Sequence, residues 1–465
     1  MTTTGGAEAA ARARTFPAGF VWGAATAAYQ IEGAVAEGGR GPSVWDTFSH
    51  TPGKIANGDT GDVACDFYHR WAGDLDILAG LGLSSFRFSV AWSRVQPTGS
   101  GAVNQVGLDF YRSLVAGLLE RNITPAITLH HWDLPQALQN EGGWANRDTA
   151  KRFAEYTKIV AEAIGDVGGL WMTLNEPQQI AHQGYRVGTH APGLKDDVLA
   201  AASTHHLLLA HGLALGVLRE TLADGTKVGI AIDIHPVRAL NDGAEKAAEI
   251  LDAEQNRVFF DPVLHGQYPR AARAHVLPPR NLIEDGDMAL ISAPLDFLGI
   301  NYYNPHYVKY SEAAGGKPGV GGCPGVIDFK PEDLPRTSMG WVVDPSGLFD
   351  TLVAVNNETP DNLTLYITEN GCAAPDVVGA DGKVDDRERV AYLQGHLEAA
   401  HRAIVRGVPL AGYFVWSLLD NFEWAWGYDK RFGVVHVDFE TQERIPKSSA
   451  AFYKAVASTN ELRPA

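Results

Sequence analysis

Residues 123–177 read ITPAITLHHWDLPQALQNEGGWANRDTAKRFAEYTKIVAEAIGDVGGLWMTLNEP, and this one stretch decides the architecture. It opens on a short apolar run, ITPAITL, and closes on another, LWMTLN from Leu170. Between them Phe153, Tyr156, Ile159, Val160 and Ile164 recur at steps of three and four, the spacing that keeps side chains on one face of a helix. The two apolar runs are continuous rather than alternating, as strands covered on both faces are. Each stops where polar groups begin: His130-His131-Trp132-Asp133 after the first, Asn175-Glu176-Pro177 after the second. This is a β/α/β unit with its chemistry gathered at the carboxyl ends of the strands.

The same rhythm extends in both directions. Further β-rich runs are VWGAAT from Val21, SSFRFSV from Ser84, KVGIAI from Lys227, DFLGINYY from Asp296, LYITEN from Leu365 and GYFVWS from Gly412. Helical spacing separates them, as in Leu108, Tyr111, Leu114, Val115, Leu118 and Leu119, or in Val390, Leu393, Leu397 and Ile404. Eight such runs alternating with helices predict an α/β fold: one (β/α)8 barrel of the TIM type with long βα loops. An open doubly wound sheet is the competitor, but no GxGxxG follows the first run. Residues 1–15 read as a disordered lead and 16–465 as one catalytic domain. From Ser311 to Gly340 a glycine-rich stretch departs from the rhythm and reads as a long loop after the sixth strand, either a flexible insertion or a lid.

Composition narrows the function. With 38 Lys+Arg against 55 Asp+Glu, the net charge is −17, which disfavours nucleic-acid and anionic-membrane partners. The N-terminal residues lack the apolar core of a secretory signal, and no continuous run of about 18 apolar residues occurs, so the expectation is a cytoplasmic enzyme without a spanning helix. Oligomeric state is left open, a homo-oligomer included. Cys65, Cys323 and Cys372 are odd in number and widely spaced, which makes neither a disulfide framework nor a zinc cluster. His205, His206 and His211 stand at spacings of one and five and read as packing rather than as metal ligands. Cys372 reads as a buried small residue, and the aromatic stripe Trp416, Phe422, Trp424, Trp426 as a pocket rim wetted by Asp420 and Glu423.

Carboxylates at two strand ends, Glu176 and Glu369, suggest a pair in which one group stays protonated and the other ionised. Glycoside cleavage needs this division: an acid for the leaving oxygen and a nucleophile for the anomeric carbon. Glu176 follows the apolar LWMTL, so desolvation should keep it an acid. Arg87, from the second run, is the counter-charge expected beside Glu369. Trp132, Trp341, Trp416 and Trp424 offer ring faces for sugar C–H groups.

Six strings carry a resemblance: FVWGAATAAYQIEG (20–33), TLHHWDLP (128–135), TLNEP (173–177), LGINYY (298–303), ITENG (367–371) and WSLLDNFEW (416–424). In this order they resemble family 1 glycoside hydrolases, the β-glucosidase family, over nearly the whole chain. The resemblance implies a retaining β-glucosidase acting on terminal β-glucosyl residues of cellobiose, short β-glucans and aryl or alkyl glucosides. It makes Glu176 the acid/base and Glu369 the nucleophile, with Asn175 on the 2-hydroxyl and Tyr303 and Arg87 beside the nucleophile. Gln30, His131, Trp132, Asn301, Trp416, Glu423, Trp424 and Phe432 would contact the sugar, and Trp341 the aglycone. No cofactor and no metal are called for; the partner is a small-molecule β-glycoside. The rivals are a 6-phospho-β-glycosidase, for which Lys430 and Arg431 could be mistaken as phosphate ligands, a broad β-galactosidase/β-fucosidase, and a non-catalytic sugar-binding protein.

Overall fold

Eight parallel strands close into a barrel in the computed structural model, which describes residues 13–315, 317–360 and 363–464. They are β1 (Val21–Ala25), β2 (Ser85–Ser89), β3 (Thr124–Thr128), β4 (Leu170–Asn175), β5 (Lys227–Asp233), β6 (Phe297–Asn301), β7 (Thr364–Asn370) and β8 (Leu410–Trp416). Neighbours pair in chain order, and β8 pairs with β1 to close the ring. Every barrel strand falls on one of the eight apolar runs, with ends differing by one or two residues. The helices that follow are α1 (Phe67–Gly80), α2 (Gln105–Glu120), α3 (Asp148–Ile164), α4 (Asp197–Thr221), α5 (Val258–His265), α6 (Pro345–Glu358), α7 (Arg387–Val405) and α8 (Ser448–Thr459).

Packing follows the periodicity. On α3, Phe153, Tyr156, Val160 and Ile164 are buried; Phe153 meets Trp92, His130, Trp144 and Tyr156. Truncating such a ring to Ala costs about 3–5 kcal/mol. Tyr156 also fixes the helix to the barrel, because its hydroxyl reaches the carbonyls of Val90 and Leu129 at 3.0 Å each. Tyr453 on α8 does the same for β1 and β8, at 2.9 Å from the Gly23 and Tyr413 carbonyls.

Three sequence expectations meet the structure as follows. Helix α4 is long and apolar enough to cross a bilayer by length and composition, but 83% of its most apolar window is buried inside the fold. An internal helix is apolar all round because it is covered all round. The stretch 311–340 is not without structure: Val326–Asp328 pairs antiparallel with His306–Tyr310, which pairs in parallel with Val237–Ala239. This side sheet stands over the carboxyl end of the barrel. The lead at 1–15 lies outside the described residues except at its end, where Arg14 and Thr15 pair with Leu462 and Glu461.

Candidate active site

The two carboxylates leave their strands at irregularities. Between Met172 and Asn175 the β4–β5 register shifts, and between Ile367 and Glu369 the β6–β7 register does. Such shifts re-aim the side chains at a strand end. Glu176 then adopts a left-handed backbone, φ +45°, as the cap of a short helix begun by Pro177. Trp132 and Trp424 are left-handed too, at φ +76° and +49°. Non-glycine residues held in that region cost of order 1–3 kcal/mol each and gather where surrounding structure over-determines them. After the nucleophile candidate, Gly371 admits no side chain: a Cβ there would stand 1.8 Å from the Trp416 carbonyl oxygen.

Beneath the carboxylates lies one buried hydrogen-bond network. Arg87 Nη1 donates to Glu369 Oε1 at 2.5 Å, and Arg87 Nη2 donates to Asn175 Oδ1 at 2.6 Å. The Tyr303 hydroxyl donates to Glu369 Oε2 at 2.6 Å. Asn301 Nδ2 donates to Glu176 Oε1 at 2.6 Å and to Asn175 Oδ1 at 3.0 Å, while its Oδ1 accepts from the Thr368 hydroxyl at 2.6 Å. Two donors on Asn175 Oδ1 fix that amide's orientation, so its Nδ2 faces His131 Nε2 at 3.0 Å. His131 must accept there, which places its own proton on Nδ1. Burial and the nearby Arg87 hold that imidazole neutral, well below its usual pKa.

These contacts give the two acids opposite environments. Glu176 is pushed well above the ordinary carboxyl range by burial, then by the charges of Asp233 and Glu369; the Asn301 amide and Arg87 oppose this. Burial also raises Glu369, but the Arg87 guanidinium and the Tyr303 hydroxyl pull it back. Of the pair, Glu176 is the one raised further.

Both carboxylates line a cavity of about 450 Å³ at the carboxyl end of the barrel. One side carries the expected aromatic and polar groups. His131 lies near-parallel to Trp416 and Trp424, with centroids 5.8 and 5.9 Å away, and Trp132 lies 4.5 Å from Trp424. Glu423 sits among them, its carboxyl raised to about 8 by burial and by Glu369. Trp341 and Phe432 close the rim against Tyr303, at 5.4 and 6.1 Å. Gln30 stands behind Glu423 rather than in the lining; its Nε2 faces Asn421 Oδ1, the Phe422 carbonyl and Glu423 Oε2, and its Oε1 is unpartnered. Asn301, expected against the sugar, is likewise not in the lining: its amide is spent on Glu176, Asn175 and Thr368.

Sequence reasoning missed the opposite side. Gln178, His182, Asp233, His235 and His306 line it, with Lys330 from just beyond the side-sheet strand Val326–Asp328. Asp233 ends an apolar run just as Glu176 follows one, and that signal was available. His306 and Lys330 carry none, because only the pairing of Val326–Asp328 with His306–Tyr310 brings their segments together.

Other expectations resolve as follows. Asp420 is no rim residue; it is fully buried, with Lys447 Nζ at 2.7 Å and Arg431 Nη1 at 2.8 Å. Phe422 is core, packed on Tyr29 and Tyr428. Lys430 Nζ donates to the Ser338 carbonyl at 3.0 Å and Arg431 pairs with Asp420, and neither side chain lines the cavity. His205 bonds Tyr268 and Asp287, His206 the Trp144 carbonyl, and His211 the Thr173 hydroxyl, as packing histidines do. Cys372 is buried, and burial pushes its thiol up to about 12.

The family model described as Glycosyl hydrolase family 1 matches residues 12–462. The 1,4-beta-D-glucan glucohydrolase of Thermotoga neapolitana is 48% identical over 457 residues, covering 97% of this chain and 99% of its own. Beta-glucosidase A of Thermotoga maritima is 47% identical over 457 residues, with the same two coverages. The solved beta-glucosidase from Thermotoga maritima in complex with glucoimidazole superposes with a TM-score of 0.90 at 46% identity, covering 96% of this chain and 99% of that one.

Proposed function

The chain belongs to glycosyl hydrolase family 1, and on that premise we propose that it is a retaining β-glucosidase with Glu369 as nucleophile and Glu176 as acid/base. Its substrates are terminal non-reducing β-D-glucosyl residues of cellobiose, short β-glucans and aryl or alkyl β-glucosides. Residues 16–465 form its catalytic domain. The observation that carries the assignment is the asymmetry between two buried carboxylates: Arg87 and Tyr303 engage both oxygens of Glu369, while among the described residues the Glu176 side chain has only the neutral Asn301 amide.

The reaction runs in two steps. Glu369 attacks the anomeric carbon as Glu176 gives its proton to the departing oxygen, leaving glucose covalently on Glu369. Glu176, now ionised, takes a proton from water, which displaces Glu369 and restores the β-configuration. The Nδ1 proton of His131 supplies a donor to a ring hydroxyl, and the Glu423 carboxyl accepts from the 4- and 6-hydroxyls; Asn175, like Asn301, stands behind the lining. Trp416 and Trp424 cover the apolar sugar face. The 6-phospho reading is disfavoured, since Glu423 is an acid and neither Lys430 nor Arg431 lines the cavity.

Trapping tests the assignment. Incubation with 2,4-dinitrophenyl 2-deoxy-2-fluoro-β-glucoside, followed by peptide mass analysis, should place the fluoroglucosyl group on the Glu369 peptide. Label on Glu176, or none with the enzyme fully active, would refute it.

A further inference from the structure

Beside Glu176 the cavity wall holds a carboxylate and an imidazole that the two steps above do not use. Asp233 ends β5 two residues past Ala231, whose carbonyl accepts from Glu176 N at 2.9 Å. His235 follows it. His235 Nδ1 is 2.7 Å from the Asn304 carbonyl oxygen, and Nε2 is 2.7 Å from Asp233 Oδ2. A neutral imidazole has one N–H and one lone pair. Here both nitrogens face acceptors, and a carbonyl oxygen cannot donate. The Nδ1 proton is therefore committed to Asn304, and a second proton has to lie between Nε2 and Asp233. Asp233 Oδ2 also accepts from Gln179 Nε2 at 3.0 Å. Two donors on one oxygen favour the ionised acid, so the pair is an imidazolium facing a carboxylate. Asp233 Oδ1 has no partner among the described residues.

The charged and titratable groups around this pair come from five elements. One is His182, on the helix Ile180–Val187, whose imidazole is pushed down to about 3 by burial, so it adds no charge. Glu176 follows β4 and Glu369 ends β7, while Tyr303 and His306 come after β6. Asp328 and Lys330 come from the side sheet and its continuation. The His306 ring lies 4.9 Å from that of His235, and burial pushes it down to about 3, so it adds no charge. Asn256, which exchanges hydrogen bonds with the His235 backbone, is neutral, as are Gln178 and Gln179.

We propose that Asp233, kept ionised by His235, is a positioning residue for the acid step: its negative charge holds the proton on Glu176 between turnovers. The inference rests on Glu176 being the acid/base. After burial, the Asp233 charge is the largest influence lifting the Glu176 carboxyl. Asparagine at 233 would remove the charge while keeping the shape, and His235 could then revert to neutral by accepting from the new amide.

The test is the pH profile of kcat/KM for phenyl β-glucoside, whose leaving group needs the acid. In Asp233→Asn the basic limb should move down by about one pH unit, a tenfold loss on its alkaline side. The loss should be smaller for 2,4-dinitrophenyl β-glucoside. A basic limb left at the wild-type position overturns the proposal. Glu176→Gln, measured alongside, separates the two claims: if its basic limb survives, the acid/base assignment falls, and if only Asp233→Asn is unmoved, the present inference falls alone. Should Asp233→Asn not fold, ¹⁵N NMR of histidine-labelled wild-type protein decides, with His235 assigned from the spectrum of His235→Gln. Both His235 nitrogens should be protonated at pH 7, and a neutral ring overturns the proposal.

Discussion

Arg87 Nη1 lies 2.5 Å from Glu369 Oε1, with the two side chains 0% and 4% exposed. A pair so fully desolvated gains nothing from water if it is split, so removing one partner strands the other. The same guanidinium holds Asn175, so one side chain from β2 fixes both the nucleophile and the residue before the acid.

Arg87→Met should therefore destabilise the protein by about 3–5 kcal/mol, read from denaturant unfolding. Losing the cation disfavours the ionised nucleophile, so the acid limb of kcat/KM in any folded fraction should move to higher pH. An unmoved limb would mean that Tyr303 alone sets the charge of Glu369.

Removing either carboxylate should give products of opposite geometry. Glu369→Gly should abolish turnover, and azide should restore it on 2,4-dinitrophenyl β-glucoside with an α-glucosyl azide product. Glu176→Ala should accumulate glucosyl-enzyme on the same substrate, which azide releases as the β-product. Proton NMR of the azides distinguishes the two; reversed configurations would exchange the roles.

Glu423 couples sugar recognition to stability. Its folded pKa of about 8 lies above the usual 4.5. Between these values the unfolded chain has released the proton and the folded chain retains it, so stability falls as pH rises through that window. Above about 8 the penalty is constant. Glu423→Gln lacks it, so its Tm relative to wild type should be higher at pH 8 than at pH 5, while glucoside turnover drops by orders of magnitude. A Tm difference independent of pH would show that the carboxyl is not raised.

Phosphorylated substrates should be rejected by the same carboxylate. Above about pH 8, where Glu423 is ionised, a phosphate charge about 4 Å from it is opposed by roughly 4 kcal/mol at an effective dielectric of 20, close to a thousandfold. Measured above that pH, wild-type kcat/KM should favour 4-nitrophenyl β-glucoside over its 6-phosphate by at least that order, and Glu423→Ser should narrow the gap. Equal rates on the two wild-type substrates would refute this reading.

What the sequence by itself determined is whatever depends on local pattern. Strands buried on both faces must be apolar throughout, and helices against them must carry a stripe, so Ile127, Trp171 and Ile367 or Phe153 and Tyr156 declare their elements without neighbours being known. Glu176 and Glu369 were legible because charge at the end of such a strand has no packing purpose. The tertiary structure decided what depends on which strand ends meet. Asn301 reads like a sugar ligand, yet β6 lies between β5 and β7 in the ring, which brings its amide to Glu176 instead. Asp420 reads like a wet rim until Lys447, 27 residues on, arrives to neutralise it in the interior. His235 carries no local sign of its charge. Its protonation is set by Asn304, a carbonyl from beyond another strand, because a proton count depends on partners and partners are assigned only when the barrel closes.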